Sequence, residues 1–235
     1  GKAEGSYLYA VMLKKGDGVQ INNQEATKYF KKAADLGHVN SIYEYGLALD
    51  KGDGVKTDKM EASKYFKKAA DLGNNDAMNN LAKMLLKGDG IPIDIKQGIK
   101  YLKMSADNGN DDSMFGYALI LDSGKFIPQN KKEAAKYFKK AADHGNSNAM
   151  LKYSSMLFNG DGIKVNKNEA AKYCGMAADN GNYDAIVSYG LLLAKSEEIK
   201  IDDKKAIKYL KIAADNGNEG AILLYSQFLI EGKYI

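Results

Sequence analysis

Tyr29-Phe30-Lys31-Lys32-Ala33-Ala34-Asp35-Leu36-Gly37 decides how this chain of 235 residues is read. The same frame returns at 65–73, 101–109, 137–145, 173–181 and 209–217, always 36 residues on, with no insertion or deletion. Self-similarity at a fixed period of roughly 20–50 residues marks a repeat array. In such an array each unit buries its apolar face only against its neighbours, so length alone does not set a domain count. The expectation is one all-α array with units 1–36, 37–72, 73–108, 109–144, 145–180 and 181–216, and a partial unit 217–235.

Working outward, each unit reads as two helices, A then B. Helix B opens at Asn22, Asp58, Asp94, Asn130, Asn166 and Asp202. Three residues later come Glu25, Glu61, Gln97, Glu133, Glu169 and Lys205. An Asn or Asp oxygen can accept from the amide three residues on, while Glu or Gln reaches back to the cap amide. Lys205 cannot reciprocate, so the last B helix is expected to fray first. Helix B ends at Gly37, Gly73, Gly109, Gly145, Gly181 and Gly217, where a left-handed residue costs glycine nothing. The next position is His38 once and Asn in the other copies (Asn74, Asn110, Asn146, Asn182, Asn218), read as N-caps of helix A.

Helix A carries Leu13, Leu49, Leu85, Leu121, Leu157, Leu193 and Leu229 near its end. Three residues earlier the side chain is always small, and one before that it is Tyr or Leu. This is the spacing of one helical face that lets two helices approach closely. On helix B, Ala26, Phe30, Ala33 and their copies form the matching stripe. The A–B loop is Gly-Asp-Gly at 16–18, 52–54, 88–90 and 160–162, but Gly124-Lys125-Phe126 and Ser196-Glu197-Glu198 break the rule.

A unit of small-x-x-x-Leu/Tyr-small-x-x-Leu, then Gly-Asp-Gly-Val, then Ala-x-x-Tyr-Phe-x-Lys-Ala-Ala-Asp-x-Gly resembles the Sel-1-like repeat family, a relative of tetratricopeptide repeats, over essentially the whole chain. The resemblance implies a right-handed α-α superhelix (solenoid) of about six and a half units, A helices lining a concave face and B helices a convex one. It also implies a scaffold or adaptor with a protein or peptide partner. A second implied reading is a regulatory repeat region of a larger enzyme or membrane-complex protein. One cysteine-rich branch is associated with penicillin binding, but this chain has the single Cys174 and no Ser-x-x-Lys.

The family geometry puts two rows on the concave face: Tyr7, Tyr43, Asn79, Phe115, Leu151 and Val187, and Val11, Leu47, Lys83, Leu119, Ser155 and Leu191. These are the candidate partner-binding residues, apolar at both ends and polar near Asn79 and Lys83. A contiguous exposed apolar surface usually signals a partner. The lysines of helix B, opposite the core stripe, read as a solvated face.

Other functions are weakly supported. The 34 basic residues are all Lys, against 30 acidic residues; without Arg, specific nucleic-acid recognition is not expected. No apolar run approaches a membrane span, so no direct insertion is expected. His38 and His144 lie in separate turns and read as solvated, so no catalytic residue is assigned and an enzyme is not expected. The Gly-Asp-Gly loops lack a calcium-loop ligand pattern, so neither metal nor cofactor is expected. Cys174 takes the place of Phe30, Phe66 and Phe138 and reads as buried. A single unpaired cysteine suits a cytoplasmic location, with endoplasmic-reticulum association the alternative implied by the resemblance. Gly1 aligns with Gly37 at a repeat seam, and the last A helix offers Ile222, Leu223, Phe228, Leu229 and Ile230 without a B helix to cover them. The expectation is that the native protein continues or that this end self-associates.

Overall fold

A computed structural model describes residues 1–192 and 203–230. Among these residues the A helices are α1 (Lys2–Lys15), α3 (Val39–Lys51), α5 (Asn75–Lys87), α7 (Asp111–Ser123), α9 (Ser147–Asn159), α11 (Tyr183–Leu192) and α13 (Glu219–Ile230). The B helices are α2 (Asn23–Asp35), α4 (Lys59–Asp71), α6 (Ile95–Asp107), α8 (Lys131–Asp143), α10 (Lys167–Asp179) and α12 (Asp203–Asp215). The chain divides into two compact units, Gly1–Ser113 and Met114–Ile235.

Local chemistry sets the helix ends. Asn22, Asp58, Asp94, Asn130 and Asn166 each accept from the amide three residues on, at 2.9–3.1 Å. Asn74, Asn110, Asn146, Asn182 and Asn218 cap the A helices in the same way. Such caps contribute about 1 kcal/mol each. The expected return bond from Glu to the cap amide is not made. That amide donates instead to the carbonyl of the helix-A leucine, as from Asn22 to Leu13, Asp58 to Leu49 and Asp94 to Leu85, at 2.9–3.0 Å. The glutamates of Asn-capped helices accept from the cap side chain instead, as at Glu133 and Glu169. Asp202, Leu193 and the loop 196–198 lie outside the described residues. Lys205 pairs with Asp179 on the preceding B helix.

Packing repeats with the sequence. In Gly1–Ser113 the core begins with Ala10, Leu13, Ala26 and Phe30, against which Tyr7, Val11 and Tyr45 pack. Phe66 and Leu102 take the place of Phe30 in the next two repeats and are buried. In Met114–Ile235 the same place holds Phe138, Cys174 and Leu210, all buried. Two members of the helix-A leucine row depart from the expected burial. Leu85 is only half-buried, because an open groove lies beside it. Leu229 is exposed, since no described B helix covers α13, and on the same helix Leu223 is 74% and Ile230 86% exposed.

The loops seat each repeat on the one before. Asp89 accepts from Lys59 at 2.7 Å, and Asp161 from Lys131 at 2.7 Å. Gly54 has φ +71, and a Cβ there would stand 2.2 Å from the Asn23 carbonyl oxygen. Only glycine fits such a backbone-on-backbone contact. Phe126, in a loop lacking the second glycine, leaves its ring 42% exposed beneath Lys125.

Candidate partner-binding surface

The two predicted rows lie on the A helices, and most of their apolar members are half-buried. In Gly1–Ser113, Tyr7 stands 6.1 Å from the Phe30 ring and 4.5 Å from the His38 ring. Tyr43 stands 5.9 Å from Phe66 and accepts from Asn80 Nδ2 at 3.3 Å. Burial pushes the Tyr43 phenol up to about 12, with Asp76 adding to the rise, so its hydroxyl stays protonated. Val11 and Leu47 are half-buried beside these rings. Asn79 is 6% exposed, and its Oδ1 has no hydrogen-bond partner. Lys83 is exposed and pairs with Asp112 at 3.0 Å.

In Met114–Ile235, Phe115 stands 5.9 Å from Phe138, and Leu119 and Val187 are half-buried. Leu151, Ser155 and Leu191 come together with Phe158 around a pocket of about 250 Å³ with Cys174 in its lining. The cause is visible in the repeat: at this level an aromatic–Phe pair becomes Leu151 over Cys174, so less side chain fills the same space. Burial pushes the Cys174 thiol up to about 12, although a hydrogen bond with Ser154 pulls the other way. Its Sγ donates to the Ala185 carbonyl at 3.5 Å. A neutral, buried thiol is a small apolar wall, not a nucleophile.

His38 is not the solvated turn residue expected from the sequence. It caps α3, its Nδ1 accepting from the Ser41 amide at 3.2 Å, and its Nε2 lies 3.0 Å from Glu4. Ser41 Oγ also lies 2.9 Å from Nδ1, giving a Ser–His–Glu order. Ser41 is 0% exposed in the first turn of α3, so its hydroxyl cannot meet a substrate; the ring is a helix cap. Among the described residues no group of three His, Cys, Asp or Glu gathers as a metal site. None of the described helices is long and apolar enough to cross a membrane.

Four helix-B lysines at one register are tied down. Lys31, Lys67, Lys103 and Lys139 pair with Asp35, Asp71, Asp107 and Asp143 one turn on, at 2.7–2.9 Å. Tyr101 and Tyr173 donate to Asp71 and Asp143 of the preceding B helix. Burial raises the Asp143 carboxyl, but the bonds from Lys139 and Tyr173 outweigh it and hold the group below its usual value. These residues knit neighbouring B helices together.

Paired helices at a fixed period, capped and stacked in this way, define an α-helical repeat protein. The chain belongs to the Sel1 repeat family, whose repeat it matches at residues 3–38, 39–74, 75–110, 111–146, 147–182 and 184–218. Among solved structures, it is similar to a protective antigen of uropathogenic Escherichia coli strains displaying an SLR fold, with a TM-score of 0.89 and 23% identity. That match covers 96% of this chain and 48% of the antigen, so the chain spans about half of that protein. A Sel1 repeat protein from Oxalobacter formigenes matches with a TM-score of 0.78 and 26% identity, over 91% of this chain and 88% of that one. Pseudomonas aeruginosa pilF shares the fold at a TM-score of 0.58 and 17% identity, over 98% and 97% of the two chains. A search of curated proteins found no match.

Proposed function

We propose that this chain is a protein-interaction scaffold that holds a peptide segment of its partner along the A helices. The observation that carries this reading is the pocket of about 250 Å³ where Leu151, Ser155 and Leu191, taken from both rows, meet over Cys174. A pocket of this size suits one apolar anchor, and a few such anchors dominate most interfaces. Tyr7, Val11, Tyr43, Leu47, Phe115, Leu119 and Val187 supply further apolar contact, while the exposed Lys83 sets register; Asn79, one turn before it, is buried. The mechanism is binding geometry, with no covalent step. A protein ligand is favoured over nucleic acid because no Arg is present for bidentate phosphate or base contacts. The same reading treats the units as one continuous array in the cytoplasm, with Cys174 reduced and the exposed face of α13 available for self-association.

The test is affinity capture with the native chain, the Leu119→Lys, Leu151→Lys double variant, and a control with Lys28→Glu and Lys172→Glu on the B helices. The captured partner is then purified and titrated against all three. We expect at least a tenfold loss of affinity in the double variant, unchanged helicity, and no loss in the control. A partner that binds the double variant as tightly as the native chain refutes the reading.

A further inference from the structure

A second irregularity in the repeat borders a different site. In five repeats a helix-A tyrosine meets a helix-B tyrosine edge to face: Tyr9–Tyr29, Tyr45–Tyr65, Tyr117–Tyr137, Tyr153–Tyr173 and Tyr189–Tyr209. Their ring centroids lie 4.7–5.7 Å apart, with interplanar angles of 77–90°. The third repeat keeps Tyr101 but has Leu81 in place of the first tyrosine. Leu81 is 4% exposed and offers Tyr101 no ring, and Tyr101 is itself 8% exposed, so only a small part of its ring reaches the surface. Beside the pair a groove of about 640 Å³ opens, lined by Leu81, Leu85, Ile91, Ile93, Tyr101 and Lys67 among others. None of the residues of the two helix-A rows lines it.

The neighbouring repeat shows what fits. There, Lys31 Nζ sits 5.9 Å from the centroid of the Tyr45 ring, the counterpart of Leu81. The counterpart of Lys31 is Lys67, whose ammonium is held at the groove by Asp71 at 2.8 Å. Asp71 also fixes Tyr101, accepting from its hydroxyl at 3.3 Å. The groove therefore combines an aliphatic floor, a narrow strip of an aromatic ring without a ring partner and a cation tethered at the rim. Aromatic rings prefer edge-to-face neighbours, and a cation favours a ring face.

We propose that this groove is a binding site for an aromatic side chain, tyrosine or phenylalanine, of a partner protein, seated against Tyr101 beneath Lys67. The partner's ring lies outside the position that Leu81 fills, against the strip of Tyr101 left open. The site stands apart from the helix-A rows, and its test is independent of theirs.

The experiment is a methyl-resolved NMR titration of the whole chain with p-cresol, the tyrosine side-chain analogue, and with cyclohexanol as an aliphatic control. We expect saturable shifts at Leu81, Leu85, Ile91 and Ile93, with p-cresol binding at least threefold tighter than cyclohexanol. Leu81→Tyr restores the internal ring and should weaken p-cresol at least tenfold. Tyr101→Leu keeps an apolar groove but removes the wall, and should erase the preference for p-cresol; it decides the matter should Leu81→Tyr fail to fold. Undiminished p-cresol shifts in a folded Leu81→Tyr, equal binding of the two probes by the native chain, or an intact preference in Tyr101→Leu would each overturn the proposal.

Discussion

Replacing Leu49 and Leu85 by alanine, one at a time, compares two positions with the same repeat address and different surroundings. Both carbonyls accept from the helix-B cap, Leu49 from Asp58 at 2.9 Å and Leu85 from Asp94 at 3.0 Å, so the backbone context is matched. Leu49 is 5% exposed, whereas Leu85 is half-buried beside the groove. Leucine to alanine removes three carbons, worth about 2.4 kcal/mol when they are fully buried. At Leu49, if about 50 Å³ stays empty, the cavity adds about 1.2 kcal/mol, for a total near 3.5. At Leu85 about half the transfer applies and water fills the space, giving about 1.2 kcal/mol. Urea unfolding followed by far-ultraviolet circular dichroism measures both, and coincident fluorescence transitions check that the two-state treatment holds. Equal losses at the two positions would refute the claim that the groove is open to solvent in the native protein.

Three further outcomes follow from single contacts. Gly54→Ala should destabilise by at least about 3 kcal/mol, combining left-handed strain with a forced backbone shift, whereas Gly37→Ala should cost about 1. A Cβ at Gly37 meets no atom within 4 Å, so denaturation midpoints should separate the two variants clearly. The Cys174 thiol, buried and pushed up to about 12, should react with an aromatic disulfide reagent at pH 8 at least a hundredfold more slowly in the folded chain than in urea. Asp143 is held below its usual value, so its contribution is present above the unfolded carboxylate value and is lost as pH falls through the folded one. Asp143→Asn should therefore reduce the acid sensitivity of stability below about pH 4, read as a flatter Tm profile.

The helix pairs, their caps and their terminal glycines were legible because each rests on a few adjacent residues at a fixed period. Asn74, for example, needs only the amide of Ala77 three positions on. What escaped the sequence depends on residues a helix or more away. The return bond expected from Glu25 fails because the Asn22 amide is taken by Leu13 on the other helix of the repeat. His38 was readable as a cap in principle, since it fills the slot of five asparagines, but its ring pairing with Glu4 joins successive A helices. Leu85 looked equivalent to Leu49 because the row is regular; the difference lies in the groove beside Leu85. For the candidate surface, the sequence named Leu151, Ser155 and Leu191 but not the pocket between them. The signal was present in Cys174, a small residue in a phenylalanine slot.

The contact of Gly54 with the Asn23 carbonyl has a counterpart at Gly162, where a Cβ would lie 2.5 Å from the Lys131 carbonyl carbon. Each such joint works as a length gauge, because one added loop residue would lift the glycine off its seat. Lengthening is penalised locally, while duplicating or exchanging a whole unit leaves every joint intact. New binding specificity in an array built this way is more readily gained by shuffling complete repeats than by growing loops. The 124–129 segment is the natural exception, since Gln129 closes that loop on the Asp122 carbonyl at 2.6 Å and leaves the exposed Phe126 open to change.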